Sequence, residues 1–225
     1  MSRLPLPVSL RIAARYRDNT FRCFSACKLW TDPVASAVAE RLLPTDLPLI
    51  DIGCGIGQFT FYLRERGYTA PIFAVDTEVK KIEAAQAVAT AHYPDTTFAV
   101  MSAADPAALT PTNQQPGHIV MLDVLHYLDP EHQMRVLHDL AQAVAPGAWV
   151  ILRATPRDES WRFRVSLAEE RMIEKVKWVS AVPVYYPTRD EIAGPFAERG
   201  FTCDIRPLWG LTPFNSYFFA FRKPR

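Results

Sequence analysis

The chain has 225 residues, 49% of them hydrophobic and 22% charged, with a formal net charge of +1. That size suits one α/β domain with additions, and that balance suits a globular protein with a sizeable core. The near-neutral charge excludes a global field that would draw the chain to nucleic acid or an anionic membrane.

Residues 1–45 read as a helical arm. Pro5, Pro7 and Arg11 interrupt the first apolar run, so it does not read as a signal peptide. Arg3, Arg11, Arg15, Arg17, Arg22 and Lys28 are interleaved with Tyr16, Phe21, Phe24 and Trp30. This pattern fits a lid over a pocket, a surface-binding segment, or a solvated helix face with its aromatics turned inward. A short helix fits Val34 to Leu43, ended by Pro44. Residues 46–225 then form the main domain. No stretch approaches the ~20 apolar residues of a membrane span, so stable membrane insertion is not expected. The expected location is cytoplasmic, with Cys23, Cys27, Cys54 and Cys203 reduced. Cys23 and Cys27 lie one turn apart with no second Cys or His pair at ligand spacing, so no metal site is expected.

Strand and helix signals alternate from Leu47 onward. Leu47 to Asp51 is a short apolar run, followed by a glycine-rich turn and a helix over 58–66 with Phe59, Tyr62 and Leu63 inward, stopped at Gly67. Ile72 to Val75 is a second strand ending at Asp76. Residues 78–91 form a helix with Val79, Ile82 and Val88 inward. Phe98 to Met101 and Ile119 to Leu122 are the third and fourth strands. Asp129 can cap the next helix and Pro130 fits its first turn; Met134, Leu137, Leu140, Ala141 and Val144 follow at helical spacing. Trp149 to Leu152 is the fifth strand. The order predicts a parallel, doubly wound sheet with ligands at the carboxyl ends of its strands.

Beyond Arg153 the rhythm changes. The spacing of Trp161, Val165, Ala168, Met172, Val176 and Val179 predicts one long helix. The aromatic run from Val182 to Pro187 follows, and Thr188 with Glu191 forms a capping box for a helix over 189–199. Phe201 to Ile205 and Ser216 to Phe221 are strands whose connection through Pro207, Gly210 and Pro213 is too short for a crossover helix. They should pair antiparallel.

The chemistry concentrates in Asp51-Ile52-Gly53-Cys54-Gly55-Ile56-Gly57. Three glycines let backbone approach a ligand closely, and the following helix presents amides to it. Dinucleotides and S-adenosylmethionine (SAM) both use this geometry. A dinucleotide fingerprint places Gly or Ala where this chain has Gln58. Asp76 can accept hydrogen bonds from ribose hydroxyls and supports either ligand.

The pattern Asp-x-Gly-x-Gly-x-Gly resembles motif I of the class I SAM-dependent methyltransferases. Asp123-Val124-Leu125-His126-Tyr127-Leu128 resembles the segment after strand four in their small-molecule members, and Ala145-Pro146-Gly147-Ala148 resembles their Pro-Gly turn before strand five. The resemblance covers roughly residues 47–153 and implies a seven-stranded, mostly parallel sheet with a C-terminal antiparallel pair. It implies SAM as cofactor, with Asp51, Gly53, Cys54, Gly55, Ile56 and Gly57 around its methionine part. Asp76 and Thr77 would hold the ribose, Ser102 and Ala103 would flank the adenine, and Asp123 and Val124 would complete the surroundings. Many relatives carry an acid where Ser102 stands; here Asp105 follows three positions later, and His118 replaces an acid common before strand four. The Asn-Pro-Pro-Tyr type of motif found in enzymes that methylate amino groups of bases or glutamine is absent.

His126 is the candidate general base for an oxygen acceptor, or else a residue packed at a helix start. Residues 157–187 read as an acceptor-side insertion. Trp161, Trp178, Tyr185 and Tyr186 suggest an aromatic or apolar acceptor, and Arg153, Arg157, Arg162 and Arg164 suggest a carboxylate or phosphate on it. The expected partner is therefore a small molecule rather than nucleic acid. An NAD-dependent oxidoreductase and a non-catalytic SAM-binding protein remain the alternatives, and no symmetric patch marks an oligomeric state.

Overall fold

In the computed structural model, residues 6–109, 117–175, 183–210 and 212–225 are described. The helices are α1 (Leu6–Ala13), α2 (Asn19–Thr31), α3 (Val34–Leu42), α4 (Gln58–Glu65), α5 (Val79–His92), α6 (Pro130–Ala143), α7 (Trp161–Lys175) and α8 (Arg189–Ala197). The strands are β1 (Leu49–Ile52), β2 (Ile72–Asp76), β3 (Thr96–Val100), β4 (His118–Leu122), β5 (Trp149–Ala154), β6 (Thr202–Pro207) and β7 (Tyr217–Arg222). They form one sheet in the order β3-β2-β1-β4-β5-β7-β6. The first five strands pair parallel, and β7 pairs antiparallel with both β5 and β6. Strand order reverses between β1 and β4, which opens a crevice at their carboxyl ends. Among the described residues no helix is long and apolar enough to cross a membrane.

The continuous apolar runs of β1, β4 and β5 bury both faces, as a parallel sheet covered by helices demands. One core cluster lies under α3 and α4 and includes Phe61, Tyr62 and Leu63; the other lies under α6 and α8 and includes Leu137, Leu140, Ile192 and Phe196. Local signals set the helix starts. Asp129 accepts the His132 amide at 3.0 Å. Thr188 and Glu191 close a reciprocal capping box, with Glu191 N donating to Thr188 Oγ1 and Thr188 N to Glu191 Oε2.

The structure corrects the inward assignment of Val79 and shows which residues of two other helices face the core. Val79 is exposed because it opens α5. Met134 is exposed, whereas its neighbour Gln133 is buried, since the Gln133 amide donates to the Leu128 and Tyr185 carbonyls. The apolar spacing of helix α7 does not mark its buried face. Trp161 is 55% exposed and Ala168 is exposed, while Phe163 and Ser166 are buried. Phe163 meets the Tyr186 ring edge-on, and Ser166 Oγ accepts the Asn215 amide at 2.8 Å. Those contacts decide the helix rotation. The expected continuation of this helix through Val176 and Val179, the aromatic Trp178 and the start of the 182–187 run lie outside the described residues, as does the segment before Leu6.

Phe196 of α8 stacks on Phe221 of β7 at 4.0 Å with an interplanar angle of 3°, and neither ring is exposed. Phe196→Ala should therefore destabilise the protein by about 3–5 kcal/mol, because the rigid sheet beneath cannot collapse into the space. Urea unfolding should show a lower midpoint with an unchanged slope.

Candidate active site

The end of β1 turns through Gly53, Gly55 and Gly57 at φ of +75°, +57° and +78°. A Cβ at Gly53 would lie 2.0 Å from Val124 Cγ2, and one at Gly57 would lie 2.7 Å from the Phe98 ring. A Cβ at Gly55 would meet no protein atom within 4 Å. Gly53 and Gly57 are thus required by packing, whereas Gly55 faces open space. That space is a cavity of about 680 Å³ at the carboxyl ends of the strands.

Two carboxylates frame the turn. Asp76, at the end of β2, accepts the Gly55 amide on Oδ2 at 2.8 Å and the Glu78 amide on Oδ1 at 3.0 Å. It fixes the turn and still lines the cavity, each oxygen keeping a second acceptor direction. Asp51 lies 1% exposed and accepts the Thr60 hydroxyl at 2.6 Å. Burial pushes its carboxyl up to about 7; the Thr60 hydrogen bond opposes that, and the nearby charge of Asp76 adds to it. Cys54 is buried beside them, its thiol pushed up by burial and then by both acids.

Of the residues expected from sequence, Asp51, Gly53, Cys54, Gly55, Ile56, Asp76, Thr77, Ser102, Ala103, Asp123, Val124 and His126 all line this one cavity. Gly57 does not; it serves the turn. His126 sits in a short 3-10 turn after β4, buried, with Tyr186 stacked on its ring at 5.5 Å and Tyr127 at 4.2 Å. Burial lowers its pKa to about 4, with Asp123 pulling upward and Arg153 downward. His118 is buried as well. Its ring bridges the Thr45 hydroxyl and the Trp149 amide, a structural role that sequence alone does not reveal.

The cavity's other wall comes from the N-terminal arm, and the contacts that hold it there are not legible in the sequence. Tyr16, between α1 and α2, donates its hydroxyl to the Ile56 carbonyl at 2.8 Å and so joins the arm to the glycine turn. Phe24, Lys28, Leu29 and Asp32 of the arm line the cavity. Arg153, almost fully buried on β5, is gripped by two acids. Its Nε donates to Asp123 Oδ1 at 2.7 Å and its Nη2 to Asp123 Oδ2, while Nη1 donates to Asp32. Lys28 Nζ lies 2.9 Å from Asp32 and 3.8 Å from Asp123. Burial pushes the Asp32 and Asp123 carboxyls up, but Arg153 and Lys28 outweigh it and hold both below the usual range. Asp123 adopts φ +58°, rare for a side chain, with its amide bonded to the Arg153 carbonyl at 2.9 Å.

Three of the four arginines expected to meet an anionic acceptor, Arg153, Arg157 and Arg162, are engaged elsewhere. Arg153 is saturated by acids. Arg162 lies between the rings of Trp161 and Trp209 and donates to the Thr212 carbonyl. Arg157 covers the Tyr185 ring and lies 3.9 Å from Glu191. Among the described residues no cluster of His, Cys, Asp and Glu could hold a metal ion.

A parallel five-stranded sheet closed by an antiparallel pair, with a glycine turn and an acid at the ends of its first two strands, is the class I methyltransferase fold. Residues 25–204 match the family described as a methyltransferase domain, and the chain belongs to that family. No curated protein matches the chain. Solved structures agree on the fold. An O-methyltransferase family protein from Burkholderia thailandensis superposes with a TM-score of 0.67 at 17% identity over 94% of this chain. Magnesium protoporphyrin IX methyltransferase from Synechocystis, with bound SAH, gives 0.61 at 20% identity over 96%. A SAM-dependent methyltransferase from Methanosarcina mazei gives 0.60 at 18% over 83%. The matches span 62%, 85% and 97% of those chains respectively.

Asp51 generates a pH dependence of stability. Its folded pKa lies above the unfolded value, so between about pH 4 and about 7 the folded protein keeps a proton that the unfolded chain has released. Stability should therefore fall as pH rises through that window. Asp51→Asn keeps an acceptor for Thr60 and should remove the fall, gaining a few kcal/mol, on the order of 4 at most, above pH 7. Urea midpoints measured from pH 4 to 8 for both proteins check this; parallel curves would refute it.

Proposed function

We propose that this protein is a SAM-dependent methyltransferase that methylates a small molecule, with oxygen as the acceptor atom. The observation that carries the reading is the cavity-facing Gly55, flanked by Asp51 and Asp76 at the ends of adjacent strands. These residues fit the cofactor: the position where a Cβ would stand is open, and two acceptor groups border it. Asp51 and the turn from Gly53 to Ile56 would hold the methionine part, Asp76 with Thr77 the ribose, Ser102 with Ala103 the adenine, and Asp123 and Val124 the remaining wall. When bound, SAM supplies a methyl group on an electrophilic sulfonium. The protein's own contribution is then placement of the acceptor and exclusion of water, with the arm of residues 1–45 acting as the lid. Apolar side chains on the acceptor side, Phe24, Leu29 and Phe214 among them, favour an aromatic or apolar body.

Calorimetry with SAM, S-adenosylhomocysteine and NAD tests the cofactor. The first two should bind and NAD should not. Gly55→Ala should weaken SAM binding at least about tenfold, while Gly67→Ala, which carries the same left-handed strain away from the cavity, should not. Equal SAM affinity in a folded Gly55→Ala protein would place the site elsewhere.

His126 takes the acceptor's proton in this reading. It is neutral at all pH values well above 4, so its ring can accept throughout the neutral range. His126→Gln should lower kcat about 100-fold with little change in KM. The limb of the wild-type pH profile due to this group should fall with decreasing pH near 4 rather than near 6.5. A variant with unchanged kcat and profile would leave His126 as a packing residue.

A further inference from the structure

The half of the cavity away from the glycine turn receives charge from four elements. Lys28 and Asp32 come from α2 and the residue after it, Asp123 follows β4, Arg153 belongs to β5 and Glu169 to α7. The two cations are matched by two of the acids: Arg153 binds Asp123 and Asp32, and Lys28 bridges the same pair. Glu169 is left over. Among the described residues no hydrogen bond or ion pair within 4.0 Å holds its carboxylate, although it is half-buried and lines the cavity. Burial pushes its carboxyl up; Lys28 and Arg153 oppose this from a distance, and Asp123 and Asp32 add to it. His126, which lines the same cavity, is neutral at physiological pH. Across the cavity, Ser216 Oγ is inaccessible to bulk water and makes no hydrogen bond among the described residues.

A carboxylate that is partly desolvated and has no cation in direct contact is an incomplete pair. A ligand bearing a carboxylate or phosphate would add to the excess negative charge. A hydroxyl would satisfy one lone pair and leave the charge. A protonated amine would supply both donor and charge.

We infer that Glu169 is the acceptor-binding residue of this cavity and that the acceptor carries a protonated amine, held by the Glu169 carboxylate, on an apolar or aromatic body. The inference rests on the methyltransferase reading above and adds the acceptor's class to it. The amine is the anchor; the methylated oxygen is a separate atom presented on the His126 side.

Three ligands that share one body test it: 2-phenylethylamine, 2-phenylethanol and phenylacetate, titrated calorimetrically into the full chain with and without saturating S-adenosylhomocysteine. The amine should bind about tenfold or more tighter than the alcohol, and phenylacetate weakest. Glu169→Gln should cut the amine's advantage over the alcohol to less than about threefold, and Glu169→Asp should retain part of it. Affinity for S-adenosylhomocysteine should be unchanged in both variants. Absence of an amine preference, including equally weak binding of all three, overturns the inference, as does a preference that survives Glu169→Gln. Loss of SAM binding without loss of S-adenosylhomocysteine binding in Glu169→Gln also overturns it, because the carboxylate would then serve the sulfonium. Failure of S-adenosylhomocysteine to bind the wild type would instead strike the cofactor reading, and the amine comparison without it would still stand.

Discussion

The guanidinium of Arg153 lies where the carboxyl end of the sheet meets the N-terminal arm, and both depend on how its charge is met. It emerges from a central strand into a nearly dry environment, where an unpaired cation would cost several kcal/mol. Asp123 answers from the loop after β4 and Asp32 from the end of α2, with Lys28 bridging the two acids. Each carboxylate holds a different element. Through Asp123 the cluster sets the left-handed backbone that begins the turn carrying His126. Through Asp32 it docks the arm against the sheet, which makes α2 a wall of the cavity. Removing Arg153 would leave two acids with Lys28 alone between them, so the contacts at both ends depend on it.

The other anchor of the arm is local to the glycine turn. Tyr16 reaches the Ile56 carbonyl, and its ring lies against Phe61 in the core. The turn is therefore held from three sides: by the β2 carbonyl of Val75, which accepts the Gly53 and Cys54 amides, by Asp76, and by Tyr16. A rigid turn of this kind pre-organises the backbone amides and acids for a ligand and spares the cost of ordering them on binding. Asp51 shows what that rigidity demands, since its carboxyl is kept so dry that it holds a proton up to about pH 7.

How far the sequence could be read follows from the range of the interactions concerned. The capping box at Thr188, the Asp129 cap, the glycine turn and the strand-ending Asp76 were all legible, because each depends on residues a few positions apart. The antiparallel closing pair was legible from a connection too short for a crossover. The rotation of α7 was not. Its apolar spacing pointed to Trp161 and Ala168, but a serine that receives the Asn215 amide and a phenylalanine beneath Tyr186 took the inner face. Gln133 was passed over for the same reason, since its burial is repaid only by carbonyls at Leu128 and Tyr185.

Local chemistry by itself determined the architecture, the position of the glycine turn and the acids that border it, because backbone geometry and hydrophobic period are written in neighbouring residues. Only the tertiary structure decided which charges neutralise one another. Arg153, Asp123, Asp32 and Lys28 come from separate elements, and nothing in their spacing shows that they converge. That convergence withdrew the arginine expected to meet an anionic acceptor. It also left Glu169 lining the cavity with no ion-pair partner among the described residues, because electrostatic pairing depends on distance in space and not along the chain.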